Sequence, residues 1–149
     1  MRRLGSVIAA VAFVVAVAAP HADACTRVVF VADNGLVITG RSLDWAEDMH
    51  SDLWAFPRGI ARDGAGGPNT PKWTSKYGSV VTAGYNIGTT DGLNEKGLVA
   101  NMLYLAESDY GDIPGKPVLS ISLWAQYALD NFATVDEAVE ALSKDTFQI

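Results

Sequence analysis

The apolar positions of the chain change rhythm as it proceeds. An unbroken apolar run, Val7 to Ala19, comes first, and a stretch dense in β-branched residues, CTRVVFVA from Cys25 to Ala32, follows it. The turn signal Asp33-Asn34-Gly35 separates that stretch from LVITGRSLD, so the pair predicts a β-hairpin. Asn34-Gly35 suits a two-residue type I′ loop, whose central positions both need φ > 0. That loop pairs Asp33 with Leu36 and brings Cys25 opposite Asp44, where opposed Cβ atoms lie ~4.5–5.5 Å apart. Residues 57–76 hold three prolines and four glycines and predict an exposed loop. Further strands are expected near Ser79–Tyr85 and Leu98–Leu105, joined by the polar NIGTTDGLNEKG. From Val118 to Phe132 the period becomes helical, with Leu119, Leu123, Gln126 and Leu129 on one side and Trp124 and Tyr127 beside them. Thr134-Val135-Asp136-Glu137 is a capping box that opens a short helix, Val135 to Ser143.

Strands first and helices afterwards define an α+β fold, with no internal repeat. Two helices cover at most one face of four strands, so the chain reads as the front part of a longer protein.

The opening run has the form of an export signal. Arg2 and Arg3 precede it, and Ala22-Asp23-Ala24 is a small-x-small cleavage site. The run is shorter than the ~20 apolar residues of a spanning helix. Residues 1–24 are therefore expected to be a cleaved signal peptide, leaving a domain over 25–149. The location expected is the periplasm or the exterior, without stable membrane association after cleavage.

Composition narrows the chemistry. With 11 basic and 17 acidic residues the formal charge is −6, against the clustered Lys and Arg that nucleic acid or an anionic membrane would require. A single cysteine excludes an internal disulfide framework. His21 leaves with the leader, and His50 and Cys25 lack ligand spacing, so neither metal nor other cofactor is expected. GTTDGLNEKG does not have the spacing of a phosphate-binding loop.

Cleavage after Ala24 gives the unpaired cysteine a use. Cys25 becomes the first residue and carries a free α-amine beside its thiol. A thiol of pKa near 8.5 is mostly protonated at pH 7, whereas an α-amine near 7.7–8.0 suits a general base. One residue then holds nucleophile and base, the logic of N-terminal-nucleophile catalysis. Asp44, opposite Cys25, could orient the α-ammonium. Arg41 lies three residues before Asp44 and in a regular strand points to the other face. Reaching the thiolate would require a bend or bulge around Gly40–Leu43; pointing inward, Arg41 would favour thiolate and oppose charge developing in acyl transfer.

These residues resemble the choloylglycine hydrolase family of linear amide C–N hydrolases, which includes penicillin V acylases and conjugated bile salt hydrolases. The resemblance rests on Cys25-Thr26, on GRSLDW with Arg41, Asp44 and Trp45, and on DGLNEKGL, and it runs from Cys25 to about Asp136. It implies the N-terminal portion of an αββα sandwich and hydrolysis of an acylated small molecule through a thioester. By match, Cys25 is nucleophile and base, and Arg41 and Asp44 are its charged neighbours. Tyr104, ten residues beyond Asn94, matches a position whose backbone N–H helps form the oxyanion hole. Trp45 matches an aromatic that lines the substrate pocket. The substrates implied are penicillin V-like amides, conjugated bile salts or acyl-homoserine lactones. The family's second asparagine and second arginine lie downstream of this chain, and Asn101 and Asn131 do not sit in those motifs.

Other readings stand beside this one. Cys25 could be the acylated cysteine of a lipid-anchored or periplasmic binding module, or an inert buried thiol. The chain could be an inactive truncated fragment, and self-association is left open. Arg41 and Asp44 could be a solvated pair, and Thr26 reads simply as a strand residue. Asn94 reads as a turn residue before Gly97, and Trp54, Trp73 and Trp124 as core or loop aromatics. Trp45 is pocket wall or packing.

Overall fold

The computed structural model describes residues 25–149; the expected signal peptide, residues 1–24, lies outside the described residues. Strands β1 (Thr26–Val31) and β2 (Val37–Ser42) form the expected antiparallel hairpin. Its register corrects the sequence expectation by one residue. Thr26 pairs with Ser42, Arg27 with Arg41 and Val31 with Val37, which would bring Cys25 to the level of Leu43 rather than Asp44. The loop has three residues, closed by Ala32 N–H to Leu36 O (2.9 Å) and Gly35 N–H to Ala32 O (3.0 Å). Gly35 takes the left-handed conformation (φ +82°) while Asn34 does not, so a type I′ turn cannot form. Asn34 Oδ1 instead accepts from Leu36 N–H at 3.1 Å, a local bond that competes for the same residue.

A four-stranded antiparallel sheet, in the order β3-β6-β7-β8, carries the core. Its strands are β3 (Asp52–Phe56), β6 (Ser79–Gly84), β7 (Gly88–Asn94) and β8 (Val99–Asn101). Within the predicted loop, β4 (Ala61–Asp63) and β5 (Lys72–Thr74) pair as a two-stranded ribbon. Helices α1 (Trp124–Asn131) and α2 (Val135–Leu142) follow, as expected of an α+β chain. The long helix predicted from Val118 begins later. Leu119 bridges Ala65, Val118 bridges Gln148, and Ser120 caps a 3-10 turn over Ile121–Leu123 before α1 starts. The capping box of α2 forms as predicted, with Thr134 Oγ1 accepting from Glu137 N–H (3.2 Å). Glu137 reaches back to the Ala133 N–H (2.8 Å), one residue before the cap.

Strand β7, GTTDGLN, has little β propensity, and the reason it is a strand lies across the sheet. Helix α1 crosses so closely that a Cβ on Gly92 would lie 2.6 Å from Leu129 Cδ1 and from Val81 Cγ1. Beneath α1 the sheet buries Val81, Ala83 and Leu98 against Leu119, Ala125, Leu129 and Phe132.

The same layer contains polar groups, each with partners. Asp130, fully buried, accepts from Arg62 Nε (2.8 Å), Trp73 Nε1 (2.7 Å) and Gln126 Nε2 (2.7 Å). Its carbonyl takes Lys76 N–H (2.8 Å), which ties α1 to the ribbon and to the start of β6. The opposite face of the sheet carries Leu53, Val80, Leu93 and Val99, all exposed, and apolar residues of the hairpin such as Val28 and Phe30 are exposed as well.

Asn94, read from sequence as a turn residue, does hold that turn and also closes the core. Its Oδ1 accepts from Lys96 and Leu98 N–H (both 3.0 Å), and its Nδ2 donates to Leu129 O (2.9 Å) and Phe132 O (2.7 Å). Replacing Asn94 by Ala leaves buried backbone groups without partners. Urea unfolding is expected to show a loss of about 3 kcal/mol, and a change under about 1 kcal/mol would show the amide to be dispensable.

Candidate active site

The hairpin register decides how the site assembles. Directly opposed residues share a face, and alternate residues of a strand do too. With Arg27 opposite Arg41, Cys25 falls on the Arg41 side of the hairpin, and no bulge at Gly40–Leu43 is required. The one-residue slip that separates Cys25 from the level of Asp44 is what brings Arg41 to the thiol. Asp44 arrives by a different route. Strand β2 ends at Ser42, and the chain beyond it leaves the ladder. Ser42 Oγ accepts from Thr26 N–H (3.3 Å) and donates to Asp44 Oδ2 (3.1 Å), which binds the aspartate to the strand that carries Cys25.

Arg41 is held from the other side by the sheet. Its Nε donates to Asp91 Oδ1 at 2.7 Å, and one terminal nitrogen donates to Met102 O. Asn101 Nδ2 donates to the same Asp91 oxygen at 2.9 Å. The Arg41 side chain is 7% exposed and its ion pair is with Asp91, largely desolvated, whereas Asp44, the partner that sequence alone suggests, is exposed. Asp91 was hidden from sequence reasoning because it lies in the stretch read as a connector. Its signal was a lone carboxylate at the head of DGLNEKGL.

Tyr104 is placed by a strand that stops early. The expected strand to Leu105 ends at Asn101. Met102 N–H still reaches Thr90 O (2.7 Å), and then the backbone turns its groups to the site. Met102 O takes Arg41, and the Tyr104 amide faces the Cys25 sulfur. Several influences act on that thiol. Burial pushes it up, but the backbone amides of Tyr104 and Asp44, with the Arg41 charge, outweigh burial and the opposing Asp44 carboxylate. Cys25 therefore sits below the ordinary thiol range, towards thiolate.

An open, mostly apolar cavity of 310 Å³ shares Arg41 and Tyr104 with the surroundings of the thiol and is walled by Leu43, Trp45, Met49, Ile87 and Met102 among others. Trp45 packs edge-on against Tyr104 with ring centroids 5.3 Å apart, so it is both wall and packing. The five residues singled out from sequence (Cys25, Arg41, Asp44, Trp45 and Tyr104) meet at one place. Among the described residues no group of three His, Cys, Asp or Glu side chains is arranged to hold a metal ion.

The family described as linear amide C–N hydrolases, choloylglycine hydrolase family, matches residues 25–147. A penicillin V acylase of Pectobacterium atrosepticum is 49% identical over 134 residues, covering 83% of this chain and 36% of its own length. The structure of a penicillin V acylase from Agrobacterium tumefaciens superposes with a TM-score of 0.79 at 58% identity, over 83% of this chain and 39% of that one. A mutant of the conjugated bile acid hydrolase from Clostridium perfringens superposes with a TM-score of 0.62 at 25% identity, over 85% and 39%. The chain thus spans little more than a third of the length of these relatives.

The electrostatics of the thiol can be measured without a substrate. Arg41→Gln removes a charge that lowers the Cys25 pKa, so the midpoint of the pH profile for alkylation by iodoacetamide should move up. An unmoved midpoint would show that Arg41 does not act on the sulfur.

Proposed function

The chain belongs to the linear amide C–N hydrolases of the choloylglycine hydrolase family, and on that footing we propose that it carries the nucleophile of an exported N-terminal cysteine amidohydrolase. The observation that supports this most is the convergence of Arg41 and two backbone amides on the only thiol of the chain. In this reading a signal peptidase removes residues 1–24, and Cys25 gains a free α-amine. The amine takes the thiol proton, and Sγ attacks the carbonyl carbon of the substrate amide. The oxyanion that forms is met by the Tyr104 N–H and by the positive charge of Arg41. The C–N bond then breaks, and the leaving amine takes the proton back from the α-ammonium. Water, deprotonated by the α-amine, hydrolyses the thioester; the acid departs and the proton returns to sulfur. Asp44, bound through Ser42, orients the α-amino group.

The cavity beside Cys25 supports an apolar acyl group. Its aromatic wall, Trp45 with Tyr104, favours an aromatic acyl amide of the penicillin V kind over bile salts or acyl-homoserine lactones. The reaction needs an unprotonated α-amine with an ordinary pKa near 7.7–8.0, so the rate should fall on acidification below that range.

Two measurements test the proposal. Mass spectrometry of the exported protein should give Cys25 as the first residue, unmodified; another N-terminus, or a diacylglycerol on Cys25, would sink it. Cys25→Ala should reduce hydrolysis of penicillin V, conjugated bile salts and acyl-homoserine lactones to the uncatalysed background. Persisting hydrolysis would show that another group is the nucleophile.

A further inference from the structure

One strained residue at the rim of the cavity has no part in the chemistry above. The β-turn Gly84–Ile87 joins β6 to β7 and is closed by Ile87 N–H to Gly84 O at 3.0 Å. Both central residues, Tyr85 (φ +54°) and Asn86 (φ +55°), lie in the left-handed region. Asn tolerates that conformation, whereas a bulky residue such as Tyr adopts it only where its surroundings hold it there. The surroundings of Tyr85 are specific. Its N–H donates to Met49 O at 2.7 Å. Its hydroxyl accepts from Trp45 Nε1 at 2.8 Å and donates to Glu47 Oε1 at 2.6 Å. The hydroxyl is therefore used in both directions and fixes two side chains of the segment that follows Asp44, while the backbone N–H holds one carbonyl of the same segment.

We propose that Tyr85 is a positioning residue for acyl-group selection: held by Glu47, it occupies the indole N–H of Trp45 and keeps that ring as an apolar wall of the cavity beside Cys25. An indole has a single polar atom, its N–H donor. Once Tyr85 occupies that donor, Trp45 presents hydrocarbon to the cavity and packs edge-on against Tyr104, whose amide faces the thiol. Without the hydroxyl the donor is free to attract a polar acyl group or water, and the ring loses its fixed orientation. The wall then selects less strongly for apolar groups. The strain at Tyr85 is consistent with this role, since a glycine would relieve it but could not reach either partner.

This inference rests on the amidohydrolase reading for its substrate, but not for its first test. Cys25 is the sole cysteine, so its alkylation reports on the cavity whether or not the protein hydrolyses anything. The ratio of labelling rates for N-phenyl iodoacetamide over iodoacetamide should fall about three- to tenfold in Tyr85→Phe. Glu47 is exposed, and Glu47→Ala should follow Tyr85→Phe, while Glu47→Gln, which keeps an acceptor, should restore the ratio. In hydrolysis by the full chain, the same variants should raise KM for a phenoxyacetyl amide relative to an acetyl amide, with the change in KM rather than kcat. An unchanged labelling ratio in a folded Tyr85→Phe, checked by its melting temperature, would overturn the proposal. If that variant does not fold, an unchanged ratio in Glu47→Ala would overturn it equally. Equal slowing of both reagents would also overturn it, since that is the mark of general loosening. Absent hydrolysis in the parent chain, with the ratio falling as expected, would count against the amidohydrolase reading alone.

Discussion

The buried carboxylate of Asp130 is the point on which the remaining structure hangs. An ionised carboxylate taken out of water is costly unless its oxygens are fully used. Here Arg62, Trp73 and Gln126 use them. Those donors come from the β4–β5 ribbon and from α1 itself, so satisfying one charge fixes the position of the helix on the sheet. Arg62 is steadied in turn by the Phe56 ring, 4.5 Å from its guanidinium carbon. Gln126 extends the network to Thr89 (2.8 Å) and Ser79 (3.2 Å), which face α1 from β7 and β6. With the helix so placed, Gly92 and Val81 have no freedom to slide, and the far side of β7 is fixed as well. Asp91, next to Gly92, points to that far side and grips Arg41.

The site is made where regular structure gives out. Strand β2 ends at Ser42 and β8 at Asn101, and each end releases a short run of backbone from ladder bonding. The released groups are those that meet the thiol: the amides of Asp44 and Tyr104 directly, and Met102 O through Arg41. A backbone amide inside a ladder already has its partner, so a strand that continued to Leu105 would withdraw the Tyr104 amide from the sulfur. Arg41 and Asp91 in turn stabilise the ends, since each carries charge that the peeled backbone and Asn101 help to satisfy.

Much of this was readable in advance. The β-branched hairpin, the α2 capping box, and the spacing of Cys25, Arg41 and Asp44 are local patterns, and local patterns persist in the fold. The one-residue error in the hairpin came from turn chemistry. Asn34-Gly35 is compatible with two loops, and the Asn34 side chain favours the three-residue form. Strand β7 was illegible because its glycines answer to Leu129 and Val81 across the core, not to their neighbours in sequence. Asp130 was illegible for a related reason, because a lone acid in an apolar helical stretch looks like a break in the pattern. Tyr85 gave no signal at all, since nothing in GYNI announces a tyrosine held at positive φ.

Among the described residues, the side-chain hydrogen bonds that join the hairpin to the sheet come from Arg41. They span 50 residues to Asp91 and 61 to Met102. During synthesis at about 5–20 residues per second, the strand bearing Cys25 therefore exists for several seconds before the groups that hold it have been made. Throughout that interval the sulfur lacks the Tyr104 amide, and Arg41 lacks the carboxylate and the carbonyl that hold it. The order of the chain itself thus delays the site: the thiol is translated early and its surroundings are completed late.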